Sequence, residues 1–252
     1  MTAPSMDVEL WVRRFHPGPA WGPRLVCFPH AGGSAVAFHP TSKALSPVAE
    51  VLSLQYPGRQ DRLGEPCLDN IAELADAIVA VLAPKLDRPL VFLGHSMGAV
   101  LAFEVAVRLE RRGVVLRRLF ASGRRAPSRV RDESIHLGPD AELVAEVQRL
   151  SGTDESLLTD PAVLSIVLPA LRADYRAVET YRHDGGARLR CPVTVLTGDR
   201  DPRVSLDEAS DWADHTTADC DVKVFAGGHF FLNDHPAQIN DLLAAELSRP
   251  AG

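Results

Sequence analysis

Apolar positions along the chain follow two rhythms. Short consecutive runs mark strands, and longer stretches with apolar residues three and four apart mark helices. Glu9 to Phe15 and Arg24 to Phe28 read as the first two strands. Val51 to Tyr56 reads as the third, ended by Pro57-Gly58. Asn70 to Leu86 reads as a helix with Ile71, Leu74, Ala75, Ile78, Leu82 and Leu86 on one face. Asn70 with Glu73 resembles a capping box, and Pro84 is expected to kink or fray the far end. Leu90 to Leu93 is an apolar run suited to a buried parallel strand. From Ala99 apolar residues recur at helical spacing to Leu109, and Gly113 stops the pattern. Leu116 to Ala121, Pro192 to Leu196 and Val222 to Phe225 read as further strands. Asn233 to Leu247 reads as a closing helix with Ile239, Leu242, Leu243 and Leu247 as its stripe.

Strands alternating with helices predict an α/β fold, with a mostly parallel sheet covered on both faces. The interval between Ala121 and Pro192 breaks the alternation. Leu143, Val144, Val147 and Leu150 fit one helix; Val163, Ile166, Val167, Leu171, Tyr175 and Val178 fit a longer one. A helical insertion between late strands sits over the strand C-termini, where ligands bind. Residues 126–185 are therefore expected to form a lid, with 1–125 and 186–252 as the core. No internal repeat or low-complexity linker interrupts the chain, and the tail Arg249-Pro250-Ala251-Gly252 is expected to fray.

Composition narrows this picture without redirecting it. At 252 residues the chain suits one large α/β domain. No apolar run is long enough to span a bilayer. Met1 to Leu10 lacks a basic segment followed by an apolar one, so a cytoplasmic location is expected. Cys27, Cys67, Cys191 and Cys220 are widely spaced, so neither a disulfide framework nor a zinc site is expected, and Cys27 reads as a small core residue. A net charge of −6 argues against general nucleic-acid binding. The charge is uneven: nine arginines fall between Arg108 and Arg131. They form either a solvated helix end and loop or a docking surface for an acidic partner.

The candidate chemistry starts at Gly94-His95-Ser96-Met97-Gly98, which fits the G-x-S-x-G pattern of a nucleophile elbow. A serine at a sharp strand-to-helix reversal is strained in its own dihedrals, and its flanks have no room for side chains. Such a serine needs a base, and the base needs an orienting carboxylate, in the chain order Ser, Asp or Glu, His. The strand ending at Leu196 runs into Thr197-Gly198-Asp199-Arg200-Asp201-Pro202. Asp201 lies far enough round this turn to face the site. Asp199 is the alternative, with a competing role in bonding its own turn. The strand ending at Phe225 runs into Ala226-Gly227-Gly228-His229, which singles out His229 by position. His16, His39, His136, His183, His215 and His235 read as surface residues. The oxyanion donors are expected to be the N–H of Met97 and one from the Pro29 to Ser34 turn, where Ala31 is best placed. His30 either shapes this turn or is merely structural.

These residues sit in a wider set of segments. Phe28-Pro29-His30-Ala31-Gly32-Gly33, Gln55-Tyr56-Pro57-Gly58-Arg59, Gly94-His95-Ser96-Met97-Gly98-Ala99, Leu171-Arg172-Ala173-Asp174-Tyr175, Gly198-Asp199-Arg200-Asp201 and Gly227-Gly228-His229-Phe230-Phe231 resemble the stand-alone type II thioesterases that serve polyketide synthases and nonribosomal peptide synthetases. The resemblance implies an α/β-hydrolase fold with a helical lid. It implies a triad of Ser96, Asp201 and His229, with oxyanion donors Ala31 and Met97. It also implies hydrolysis of acyl groups from the phosphopantetheine arm of acyl or peptidyl carrier proteins, met transiently and in trans by a monomer. No cofactor or metal is expected, since the substrate carries the phosphopantetheine; nor is a nucleic-acid or membrane partner. Arg124 and Arg125 are the first candidates for docking an acidic carrier. The alternative activity is a serine esterase or acyltransferase acting on small acyl esters or acyl-CoA, because the triad is common to all of these. A non-catalytic binding scaffold is disfavoured because all three triad members are present.

Overall fold

The computed structural model describes residues 6–150 and 160–249. In chain order its regular elements are α1 (Val8–Trp11), β1 (Val12–Arg13), β2 (Arg24–Phe28), α2 (His39–Leu45), β3 (Glu50–Leu54), α3 (Ile71–Leu82), β4 (Leu90–His95) and α4 (Met97–Arg111). They continue with β5 (Arg118–Ser122), α5 (Asp140–Leu150), α6 (Pro161–Thr180), β6 (Val193–Gly198), α7 (Leu206–Ser210), β7 (Cys220–Phe225), α8 (Phe231–Asp234) and α9 (Pro236–Leu247). The strands form one sheet in the order β1-β3-β2-β4-β5-β6-β7. Only β1 pairs antiparallel; the others run parallel, so their C-terminal ends share one edge.

The uninterrupted apolar runs are explained by burial on both faces. Every residue of β2, β3, β4 and β6 is buried. Alternation along each strand then divides the core in two. Val26, Phe28, Leu52 and Phe92 face a cluster built with α3 and α4. Leu25, Cys27, Leu93 and Leu196 face a second cluster built with α9. Emptying one such position, as in Phe92→Ala, costs about 3–5 kcal/mol.

Two expected elements differ from the reading of the pattern. Glu9 to Phe15 is not a strand. Asp7 accepts the Glu9 N–H (2.9 Å) and caps the single turn of α1, leaving only Val12 and Arg13 to pair with β3. The closing helix is two helices. Pro236 lacks an N–H and disfavours helical geometry in the residue before it, and His235 stands at φ −123° between α8 and α9. Asn70 caps α3 by accepting from Ala72 and Glu73, while the full reciprocal capping box belongs to Ser205 and Glu208 at α7. A 3-10 turn, Ala83–Lys85, follows α3 at Pro84.

Among the described residues between β5 and β6, a 3-10 turn (Ile135–Leu137) precedes the helices α5 and α6. Leu143, Leu171 and Tyr175 join them in a small cluster of their own, which touches Ala31. Beyond Pro169, α6 sinks into the main core through Ala177 and Val178. His183 and His215 also lie inside, against the expectation of surface positions. Their rings pack on each other (4.8 Å between centroids) and on Phe103 of α4. Burial, and then His183, pushes His215 down to about 4. No helix among the described residues is long and apolar enough to cross a membrane.

Candidate active site

The elbow is enforced from two sides. Ser96 sits between β4 and α4 at φ 55° and ψ −119°, a conformation that L-residues rarely adopt. Strain of this kind costs about 1–3 kcal/mol and persists only where the surroundings impose it. They do so here through backbone. A Cβ on Gly94 would run into the Gly98 carbonyl, and one on Gly98 would run into the Phe28 and Pro29 carbonyls. The Ser96 N–H donates to the Ser122 carbonyl at the end of β5 (2.8 Å).

The edge where the parallel strands end gathers the other groups. His229, after β7, places Nε2 3.0 Å from Ser96 Oγ. Its Nδ1 lies 3.0 and 2.9 Å from the two carboxylate oxygens of Asp201, after β6. The carboxylate can only accept, so Nδ1 carries the proton and Nε2 is left to accept from the Ser96 hydroxyl. His229 and Asp201 are both buried. Asp199 is elsewhere. Its carboxylate accepts the Gly227 N–H (2.8 Å), which together with Arg200 holds it below the usual carboxylate range. It braces the turn that carries His229 and does not touch the imidazole.

Residues 29–35 after β2 form the facing loop. Among the described residues, no hydrogen bond engages the N–H of Ala31 or of Met97. Gly32 holds φ +75°, and a Cβ there would collide with Leu171 of α6. The His30 carbonyl accepts the Gly33 N–H (2.9 Å), and the His30 ring fills the space a Gly33 side chain would need. His30 therefore shapes the turn. Burial, then the neighbouring His229 and Arg59, pushes it down to about 4, so it is neutral near pH 7. His95 is a third imidazole, buried against the His229 ring (5.1 Å) with Nδ1 3.0 Å from Ser122 Oγ. Burial holds it well below the ordinary histidine range.

An apolar cavity of about 140 Å³ stands over Ser96 and His229. Val147 and Leu150 of α5, Val167, Leu171 and Tyr175 of α6, and Phe230 supply its walls. Sequence reasoning assigned no role to His95, Phe230, Arg59 or Asp174. Asp174 carried a readable signal. It lies between Leu171, Tyr175 and Val178 on the apolar stripe of its helix, and an acid there requires a buried partner.

The comparisons with known proteins meet this geometry. Residues 23–247 match the thioesterase domain family. The chain belongs to that family. A probable cadicidin biosynthesis thioesterase of Streptomyces griseus is 53% identical over 94% of this thioesterase, which spans 66% of that relative's length. Thioesterase PikA5 of Streptomyces venezuelae is 51% identical over 94% of this chain and 86% of its own. The solved structure of BorB, a type II thioesterase from the borrelidin biosynthetic cluster, superposes with a TM-score of 0.89 at 46% identity, covering 98% of this chain and all of that one.

The arginine-rich stretch of this thioesterase is largely spent on internal pairing. Arg108 bonds Asp76 (2.6 Å), Arg118 bonds Glu246 (2.9 Å), Arg131 bonds Glu208 (2.6 Å), and Arg129 pairs with Asp211. Arg125 is 3% exposed and bonds Glu133 (2.8 Å), so it holds the loop after β5 and is not presented to a partner. Arg124 differs. No side-chain hydrogen bond or ion pair engages it among the described residues, and burial, then Arg125, pushes it down to about 9.

Proposed function

We propose that this thioesterase hydrolyses acyl groups from the phosphopantetheine thiol of carrier proteins in polyketide or nonribosomal peptide assembly, acting in trans as an editing enzyme. The observation that carries the reading is the bonded series Ser96–His229–Asp201 under an apolar cavity. The relatives named above, from cadicidin and borrelidin biosynthesis, support a carrier-bound substrate.

His229 Nε2 takes the Ser96 hydroxyl proton as Oγ attacks the thioester carbonyl carbon. The oxyanion so formed accepts from the N–H groups of Ala31 and Met97; a donor of this kind is worth about 10²–10³ in kcat. Collapse breaks the C–S bond, and His229 returns the proton to the leaving thiolate. Water then attacks the acyl-Ser96 ester, giving a proton to His229, and the acid leaves as Ser96 recovers that proton. Asp201 holds the imidazole tautomer and stabilises its cation. The reaction uses no cofactor or metal of the enzyme's own.

The described residues 126–150 and 160–185 of the inserted segment serve as the lid, and the side chains it brings over Ser96 set the acyl preference. A cavity of about 150 Å³ holds a benzene ring, so the 140 Å³ here is of a size to seat a short or branched acyl group. The enzyme works as a cytoplasmic monomer that meets its carrier transiently, with Arg124 the remaining arginine of its pair for that contact.

The deciding experiment is a hydrolysis panel of acyl groups of increasing length on a carrier protein, run beside acyl-CoA and an oxygen ester of the same acids. Fast release from the carrier, with a preference for short acyl groups, is expected. A faster oxygen ester, or acyl transfer to an added alcohol in place of water, would establish the esterase or acyltransferase reading instead.

A further inference from the structure

The loop that presents Ala31 is held by side chains from two distant parts of the chain. Tyr56 donates its hydroxyl proton to the Pro29 carbonyl (3.2 Å). The Gln55 side-chain oxygen accepts the Ala35 N–H (2.8 Å), and its amide nitrogen donates to the Arg59 carbonyl (3.3 Å). Arg59 donates to the Gly33 carbonyl (3.1 Å) and forks onto both oxygens of Asp174 (2.6 and 2.9 Å). Asp174 closes the circuit by accepting the Gly32 N–H (2.7 Å).

Asp174 has no exposed surface and Arg59 is 6% exposed. A charge pair this deep is retained only where its lone pairs and protons are satisfied, and an apolar pair would serve bare stability as well. Here the hydrogen bonds are spent on one loop. Drawing the Gly32 N–H onto Asp174 turns it away from the reacting carbonyl and leaves the adjacent Ala31 N–H as donor. The same carboxylate belongs to α6, whose Leu171 touches Gly32 and walls the cavity. The side chain that aims the oxyanion loop thus also seats the acyl wall.

We propose that the Arg59–Asp174 pair is the positioning device of the oxyanion hole, setting the Ala31 N–H and coupling it to the seat of α6. The proposal rests on the reading of Ser96 as nucleophile and Ala31 as oxyanion donor. The pair touches no substrate; it acts through the loop.

The test compares wild type with Asp174→Asn and with the apolar double variant Arg59→Met/Asp174→Leu, which leaves no orphaned charge if the single variant folds poorly. Three quantities are read: kcat and KM on a butyryl thioester of N-acetylcysteamine, the Ki of the matching trifluoromethyl ketone, and the Kd of a non-cleavable thioether analogue. The ketone forms a tetrahedral oxyanion on Ser96; the thioether does not. Mispositioning one oxyanion donor predicts a loss of about 10- to 100-fold in kcat. A matching loss is expected in ketone binding, with KM and thioether binding within about 3-fold. Arg59→Lys keeps a charge without the fork, and an intermediate loss is expected. Unchanged kcat and ketone binding with a lowered Tm would overturn the proposal, as would equal losses for ketone and thioether. Wild type that forms no ketone adduct would instead overturn the reading of Ser96, so the two failures are separable.

Discussion

The strand-end edge and the α5–α6 segment above it are built on different physics. At the edge, geometry is set by backbone collision. Gly94, Gly98 and the strained Ser96 admit one arrangement, and every residue of β4 is buried. Above it, α5 buries only Leu143 and Leu150. It is tied to its surroundings by ion pairs, Arg172 to Asp140 (2.5 Å) and Arg203 to Glu146. The two halves of α6 repeat the contrast. Its fully buried residues all lie beyond Pro169, while Ile166 before it is 51% exposed. A proline inside a helix removes one rung of the backbone ladder and favours a bend there. Backbone collision thus fixes the turn at Ser96, while α5 and the first half of α6 rest on fewer buried residues.

The sharpest way to break this comparison is at the edge itself. Ser96→Ala is expected to lower kcat by about 10⁶-fold, the scale seen when a triad serine is removed, with Tm little changed; a small loss would mean that another group does the chemistry. Next comes Asp201→Asn, which leaves the geometry but supplies the wrong tautomer and should cost about 10⁴ in kcat. Asp199→Asn should stay within about 10-fold, because it loses only a turn contact of the scale of one hydrogen bond. The reverse ranking in steady-state kinetics would transfer the acid role to Asp199.

Proton uptake sets the packed core around Phe103 against the α5–α6 segment. Folded His215 titrates at about 4, against about 6.5 in an unfolded chain. Between those values the unfolded state binds more protons, so stability is full above about pH 6.5 and falls by about 3 kcal/mol as pH drops to 4. The ion pairs of the upper segment behave differently. Burial raises Glu133, but Arg125 and Arg203 more than offset it and hold it below the usual range. Its contribution is present above the ordinary carboxylate pKa and lost only at lower pH. Urea unfolding followed from pH 7 to 5 should therefore weaken wild type but weaken His215→Phe less. The smallest expected effect is Glu146→Gln, which loosens α5. A partly exposed pair is worth up to about 1 kcal/mol, so KM should shift by about 2- to 5-fold with kcat nearly constant. An equal loss in kcat would show that the chemistry depends on α5 as strictly as on the edge.

Much of this was legible because the relevant constraints are local. The elbow glycines, the turn after β6 and the Gly-Gly-His after β7 follow from what a strand-to-helix or strand-to-turn reversal permits. The misreadings came where a single local group outweighed the apolar pattern: Asp7 capping α1, and Pro236 splitting the closing helix. His183 and His215 were misplaced for another reason. Polar residues carry no periodicity of their own, and only packing against Phe103 put them inside.

The sequence by itself determined the parallel sheet, the strained serine and the order of its partners, because strand burial and turn sterics act over a few residues. The tertiary structure puts Asp201, already favoured over Asp199 by its place in the turn, against His229, and it alone decided that Arg125 is a buried brace and that Arg59 and Asp174 meet beneath the loop of residues 29–35. Those two lie 115 positions apart. No local rule relates them. The pairing exists because a carboxylate on a buried helix face must find a cation, and the fold brings one there.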